Sequence, residues 1–416
     1  MSDPQPPDPL TDVVAAQYER WTYPPGYTDL ESLPLTGPHS TYKDFRDLHT
    51  SYWPTEPYRE DRDILVAGCG TMAAACYAYL YPAARVVGID LSTASLAHEQ
   101  LLKDKYRLGN LSLHRLPIEQ AGLLRLSFDF IACHGVLHHL TDPVAGLCAL
   151  REVLRRDGVI AVMLYAKYGR AGVYMLQDLF RLLGVQQDAA GVALVRQTLA
   201  MLPPSHPAQQ YLRMATDLHA DAGLVDTFLH PRDRAYTVRD CLNLARDAGV
   251  AFQGWDENMP YSLDLPLAGQ PADNALRRAL ASVPEEESWT AAELLRANMP
   301  VHFFHVCRAD RDARSYRVHF HGDDFLRYIP VIRYNRLQPG DLLRGLPPML
   351  ERPPVPPVPI APSHVAVLRE IDSRRTIAHL LRAQNRSGAE AINFGRELFG
   401  YCWRQGMLQF RLPMPS

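Results

Sequence analysis

The chain has 416 residues, 47% hydrophobic and 21% charged, with a formal net charge of −3. That length exceeds one ordinary core and predicts two or three domains, and the balanced charge removes any global pull toward nucleic acid or an anionic membrane. No apolar run reaches the roughly 18 residues of a membrane span, and the acidic, proline-rich start MSDPQPPDPLTD has the wrong chemistry for a signal peptide or presequence.

The seven cysteines, at 69, 76, 133, 148, 241, 307 and 402, contain no CxxC pair. Reduced thiols and a cytoplasmic location are the expectation. Residues 1–59 are rich in proline and aromatics and read as an N-terminal arm with one short helix in DVVAAQYERW. From residue 60 to 310 the rhythm is that of an α/β domain. DILVAG, ARVVGID, LSLHRL, FDFIACH and GVIAVMLY read as strands, with helices in MAAACYAYLY, in TASLAHEQLLKDKYRLG up to Gly109, and in DPVAGLCALREVL. Alternating units of this kind predict a doubly wound, mostly parallel, Rossmann-like sheet.

Residues 171–230 interrupt the pattern as a helical insert. The rhythm resumes with TVRDCLNLARDAG, N-capped by Thr237, and the strand VAFQGW. TAAELLRANM and VHFFHVCR form a last helix–strand pair, expected at an antiparallel edge of the sheet. Residues 311–416 read as a small α+β C-terminal domain. Within it ERPPVPPVPIAP (351–362) predicts a stiff polyproline strap, and 363–412 the outline of a winged-helix-like unit.

The first chemical motif is VAGCGTMAA. Gly68 and Gly70 end a strand and open a helix, a turn that brings backbone N–H groups and a helix N-terminus to a ligand. Twenty residues beyond Gly70, Asp90 ends the second strand, where a carboxylate accepts ribose hydroxyls. With Ala73 the loop also satisfies G-x-G-x-x-A, so an NAD-type site stays open on these residues alone.

The segment after the fourth strand narrows the choice. Val136, Leu137, His138, His139 and Leu140 precede Pro143, and Arg155, Arg156 and Gly158 precede the fifth strand. In this combination the chain resembles the class I S-adenosylmethionine-dependent methyltransferases, strongly over about residues 60–170. The resemblance implies S-adenosylmethionine as cofactor, with Gly68 and Gly70 approaching its methionine part, Asp90 on the ribose and Leu91 against the adenine. Ala67, Cys69, Pro117, Ile118, His134 and Gly135 would complete that site. Val66, Met72 and Pro117 depart from the family pattern, where acidic residues or a third glycine are common.

Methyl transfer requires a nucleophile held in line about 3 Å from the methyl, with a base only where the acceptor carries a proton. His138, His139, Tyr165 and Tyr168 are the catalytic candidates, and Tyr18, Trp21 and Tyr23 would supply an aromatic lid favourable to a sulfonium. Lys167 and Arg170 stand beside Tyr165 and Tyr168 where an anionic acceptor could enter. The acceptor is expected to be a small molecule, with a protein substrate of lysine type or a non-catalytic cofactor-binding scaffold as alternatives. His302, His305, His319, His321, Asp323 and Asp324 suggest a metal only weakly, since spacing fixes no third ligand, and no metal is expected. The helix AEAINFGRELFGYCW is too poor in basic residues for nucleic acid.

Overall fold

The computed structural model describes residues 12–24, 26–33, 35, 45–271, 273–333, 336–338, 340, 346–352 and 355–414. The chain groups into two compact units: residues 1–30, 60–252 and 293–309 form the first, and 31–59, 253–292 and 310–416 the second. The stretch read as one arm, 1–59, divides between them, and 253–292 groups with the C-terminal part.

The main sheet contains β1 (Asp63–Ala67), β2 (Arg85–Asp90), β3 (Leu111–Arg115), β4 (Phe128–His134), β5 (Leu154–Tyr165), β6 (Val250–Trp255) and β7 (Val301–Arg308), in the order β3-β2-β1-β4-β5-β7-β6. From β3 through β5 every neighbouring pair is parallel. Ile64, Leu65, Phe130, Ile131, Val159 and Val162 are fully buried, as expected for strands covered on both faces. β7 runs antiparallel to β5, from Val159↔Cys307 to Tyr165↔Val301. It lies between β5 and β6, so the antiparallel strand is internal and β6 takes the edge. The burial pattern gives the reason: Phe304, Val306 and Cys307 are wholly buried, whereas β6 is half-exposed along most of its length.

The helices are, in chain order, α1 (Val13–Arg20), α2 (Phe45–Tyr52, in the second unit), α3 (Ala73–Leu80), α4 (Thr93–Tyr106) and α5 (Pro143–Glu152), then α6 (Ala171–Leu182), α7 (Ala189–Met201), α8 (Ala208–Leu212) and α9 (Asp221–Phe228) in the insert. α10 (Val238–Asp247), α11 (Ala275–Leu280) and α12 (Glu285–Arg296) follow. Thr237 caps α10 in a reciprocal box with Asp240, as its sequence predicts. The insert has its own core, in which Val173, Leu176 and Phe180 of α6 meet Val192, Val195, Leu224 and Phe228.

In the second unit β8 (Ile329–Ile332) pairs with β12 (Leu408–Arg411), and β9 (Arg336–Gln338), β10 (Met349–Arg352) and β11 (Val355–Pro359) form a three-stranded sheet. The proline strap is therefore part of a sheet: Leu350 pairs with Val358 and Met349 with Pro359. Prolines are accommodated because β11 is an edge strand, where a missing N–H costs no ladder bond. α13 (Pro362–Arg369), α14 (Ile377–Ala383) and α15 (Gly388–Arg404) complete a core with Phe325, Phe399 and Phe410.

Candidate active site

The glycine loop leaves β1 with Gly68 at φ +73° and Gly70 at φ +56°, backbone that favours residues without a Cβ. A Cβ on Gly68 would lie 2.4 Å from Val136 Cγ2. Asp90 ties the loop to the end of β2. Its Oδ2 accepts the Gly70 N–H at 2.8 Å and its Oδ1 the Ser92 N–H at 2.9 Å. Burial pushes its pKa up, against those backbone bonds. Each oxygen keeps further lone-pair capacity for a ligand hydroxyl.

Met72 occupies the N-cap of α3 without a side-chain cap. The orphan donors of that helix are met instead by Glu99 of α4, whose Oε1 and Oε2 accept from Ala74 and Ala75 N–H at 2.8 and 2.9 Å. Glu99 is wholly buried, and that burial raises its pKa to about 8. No sequence motif marked it.

Leu91 follows Asp90, and its carbonyl accepts from Arg115 Nε at 3.0 Å. Pro117 caps the short 3₁₀ turn that begins at Ile118. On that turn Glu119 has a buried Oε2 with no hydrogen-bond partner among the described residues, and burial raises its pKa. A buried acceptor without a donor is costly, and an amine-bearing ligand would relieve it. His134 ends β4 with its ring edge-on to Phe303, and Gly135 donates its N–H to the Met163 carbonyl at 3.1 Å.

Beyond the ends of β4 and β5 lies a second constellation. His138 stacks on Tyr165 at 4.0 Å and meets His139 edge-on at 4.2 Å, and His139 stacks on His230 at 3.9 Å. His139 Nδ1 lies 2.8 Å from the Arg232 carbonyl, which can only accept, so Nδ1 carries a proton and donates it. The Tyr165 N–H donates to His138 Nδ1 and the Arg232 N–H to His230 Nδ1, which puts their protons on Nε2. Burial lowers the pKa of both rings and keeps them neutral. Asp226 is 2% exposed and accepts from Tyr18 Oη at 2.9 Å and Tyr165 Oη at 3.3 Å; burial raises its pKa.

His138, His139 and Asp233, and likewise His139, Asp226 and His230, place potential ligand atoms within 4.8 Å of one another. With N–H rather than lone pairs on two Nε2 atoms, and the Arg170 guanidinium 3.7 Å from Asp233, the arrangement suits moving protons better than holding a cation. Of the histidines further along, His302 is buried 3.3 Å from Glu293. His319 and His321 stack at 6.3 Å in a stretch that is not a strand.

Arg170 is 1% exposed and acts as a pillar. Its guanidinium lies 3.7 Å from the Tyr165 ring centroid and 4.8 Å from that of Tyr211, and it donates to Tyr211 Oη at 2.9 Å. The structure thus brings His138, His139 and Tyr165 together but leaves Tyr168 aside. Tyr168 is seen to accept an N–H from Ala171 at its carbonyl, and its ring meets no aromatic partner among the described residues. Lys167 is exposed. Asp226, His230, Asp233 and Tyr211 come from the insert and its exit. The spacing of Asp226 and His230, four apart at the end of α9, was the available signal.

Residues 12–24 bond to this region at several points. Arg232 pairs with Asp12 at 2.5 Å, and Tyr18 reaches Asp226. Trp21 Nε1 donates to the Gln187 carbonyl at 3.3 Å, and Tyr23 Oη donates to Asp217. Pro24 lies against the glycine loop, 3.2 Å from where a Cβ on Gly70 would sit.

Residues 65–160 match the family described as Methyltransferase domain. The chain is 28% identical over 298 residues to syc1184_c, an uncharacterized protein of Synechococcus sp., covering 70% of each. It is 34% identical to trans-aconitate 2-methyltransferase of Deinococcus radiodurans over 134 residues, 32% of this chain and 47% of that one. Among solved structures, PKMT2 from Rickettsia typhi superposes with a TM-score of 0.60 at 15% identity, covering 94% of this chain and 77% of that chain. The same protein in complex with AdoHcy gives a TM-score of 0.59. No helix among the described residues is long and apolar enough to cross a membrane. The match over residues 65–160, the parallel sheet and the loop with Asp90 agree that the chain carries an S-adenosylmethionine-dependent methyltransferase domain.

Proposed function

We propose that the enzyme methylates a small-molecule acceptor carrying an ionisable proton, and that the group around His139 and Asp226 receives that proton. When bound, S-adenosylmethionine supplies an electrophilic methyl on a sulfonium. Gly68 and Gly70 allow close approach of its methionine part, Asp90 takes the ribose hydroxyls and Glu119 Oε2 the adenine amine. Ala67, Cys69, Leu91, Pro117, Ile118, His134 and Gly135 line the same site.

The observation that carries the acceptor reading is enclosure. Asp226 and the three imidazoles are buried beneath the arm and the insert, which suits a compact acceptor and excludes water. In the neutral ring His139 Nε2 has the free lone pair and acts as proton acceptor. Tyr165 orients the acceptor, and His138 positions Tyr165 through the stack and the backbone bond. Tyr18, Trp21 and Tyr23 form the lid. The partial likeness to a trans-aconitate 2-methyltransferase is in keeping with a small acceptor.

The test is incubation of the enzyme with methyl-labelled cofactor and cell lysate, followed by separation of small molecules from protein. Label in the small-molecule fraction is expected. Label in protein would replace this reading with a protein acceptor, and bound cofactor without any transfer would remove catalysis.

A further inference from the structure

The second unit holds a surface cavity of about 360 Å³ that the methyl-transfer site does not include. Its lining includes three arginines, Arg314, Arg317 and Arg327, and a single carboxylate residue, Asp324. The three arginines differ in how far they are already engaged. Arg314 is held bidentately by Asp312, with Nη2 2.8 Å from Oδ2 and Nε 3.2 Å from Oδ1. Among the described residues, the Arg317 guanidinium has one long contact, to Glu285 at 3.5 Å. Arg327 is exposed and has no ion-pair partner among the described residues.

The lining also has apolar members. These are Leu412, Pro413 and Met414, with the ring of Tyr328, which is 5% exposed. Tyr328 packs against Phe320 and Phe410 at 6.3 and 6.2 Å, so this part of the lining is continuous with the core of the unit. His319 also borders the cavity, edge-on to Tyr328, and its Nδ1 is buried without a hydrogen-bond partner among the described residues.

We propose that this cavity binds a small ligand bearing a phosphate or carboxylate on an apolar body. The oxyanion would lie on Arg327 and Arg317, whose planar forks match either group. The apolar body would lie on Tyr328, Leu412 and Met414, and Asp324 would read a further polar atom. The volume falls in the range of small-molecule sites. Balanced net charge over the whole chain makes the local excess of guanidinium more specific, since it is not a byproduct of a basic protein.

The experiment is titration of the full chain, at low ionic strength, with phenyl phosphate, benzoate, inorganic phosphate and benzyl alcohol, read by calorimetry. Phenyl phosphate or benzoate is expected to saturate one site while benzyl alcohol does not, and saturating S-adenosylhomocysteine should not displace it. The tighter of the two anions identifies the oxyanion, and either order supports the proposal. Arg317→Ala with Arg327→Ala, both exposed positions that should fold normally, is expected to weaken binding at least about tenfold. Absence of saturation by both anions would overturn the proposal, as would equal affinity in the double variant. Equal affinity for inorganic and phenyl phosphate would overturn the apolar half and leave only a charged patch.

Discussion

The Tyr18 hydroxyl, on the N-terminal arm, donates to Asp226 Oδ1 of the insert at 2.9 Å, across 208 positions of sequence. That bond joins the two segments that cover the carboxyl ends of β4 and β5. Removing the hydroxyl leaves a buried carboxylate oxygen without that donor. Tyr18→Phe should therefore destabilise the first unit by about 1–3 kcal/mol. A double-mutant cycle with Asp226→Asn, followed by urea unfolding, should give a coupling of about 1 kcal/mol or more. Strict additivity would show that the bond does not hold the arm.

Asp90 serves the loop and, in the proposed reading, the ribose. Asp90→Ala should weaken S-adenosylhomocysteine binding by about 10- to 100-fold in calorimetry. Asp90→Asn, which retains an acceptor for one N–H, should lose less. Unchanged affinity in Asp90→Ala would remove the ribose assignment.

Glu99 makes a prediction in pH. Its pKa rises from the ordinary 4.5 to about 8 because burial disfavours the charged form more than the Ala74 and Ala75 N–H groups favour it. Between those values the folded chain binds a proton that the unfolded chain has lost. Stability must then fall as pH rises across that window, by up to about 1.4 kcal/mol per pH unit from this group alone. Glu99→Gln should flatten the slope of unfolding free energy between about pH 5 and 8 relative to the wild type. An identical slope in both proteins would mean that Glu99 is ionised throughout.

Gly68 faces two separable constraints, a positive φ and a contact with Val136. Gly68→Ala should cost about 1–3 kcal/mol in stability and weaken cofactor binding. Adding Val136→Ala removes the nearest clash but not the backbone strain, so thermal unfolding should recover only in part. Full recovery would assign the whole penalty to packing.

The elements that were legible in the sequence share one property: their information is local. Gly68, Gly70 and Asp90 lie on consecutive strand ends, and His138 and His139 follow the fourth strand directly, so spacing alone brought them to one end of the sheet. Asp226, His230 and Arg170 belong to a helical insert whose periodicity reports its own core. Only the folded chain brings His230 to within 3.4 Å of the Tyr18 hydroxyl. Glu99 was hidden for a similar reason, since a cap donated from a neighbouring helix leaves no trace at the N-cap position itself. The proline run reads in sequence as a stiff polyproline strap because polyproline and β backbones share nearly the same φ and ψ. What distinguishes them is pairing, and the partner strand β10 lies largely before the run.

The internal position of β7 has a consequence for biosynthesis. β6 emerges from the ribosome before β7, with 45 residues between them, and in the finished sheet β7 lies between β5 and β6. Until β7 is made, the long apolar edge of β5 has no partner on that side, and such an edge invites pairing with other chains. A chain ending between residues 165 and 301 would therefore carry every cofactor-loop residue and an unfinished sheet. Such products should aggregate or be degraded rather than accumulate as a minimal enzyme.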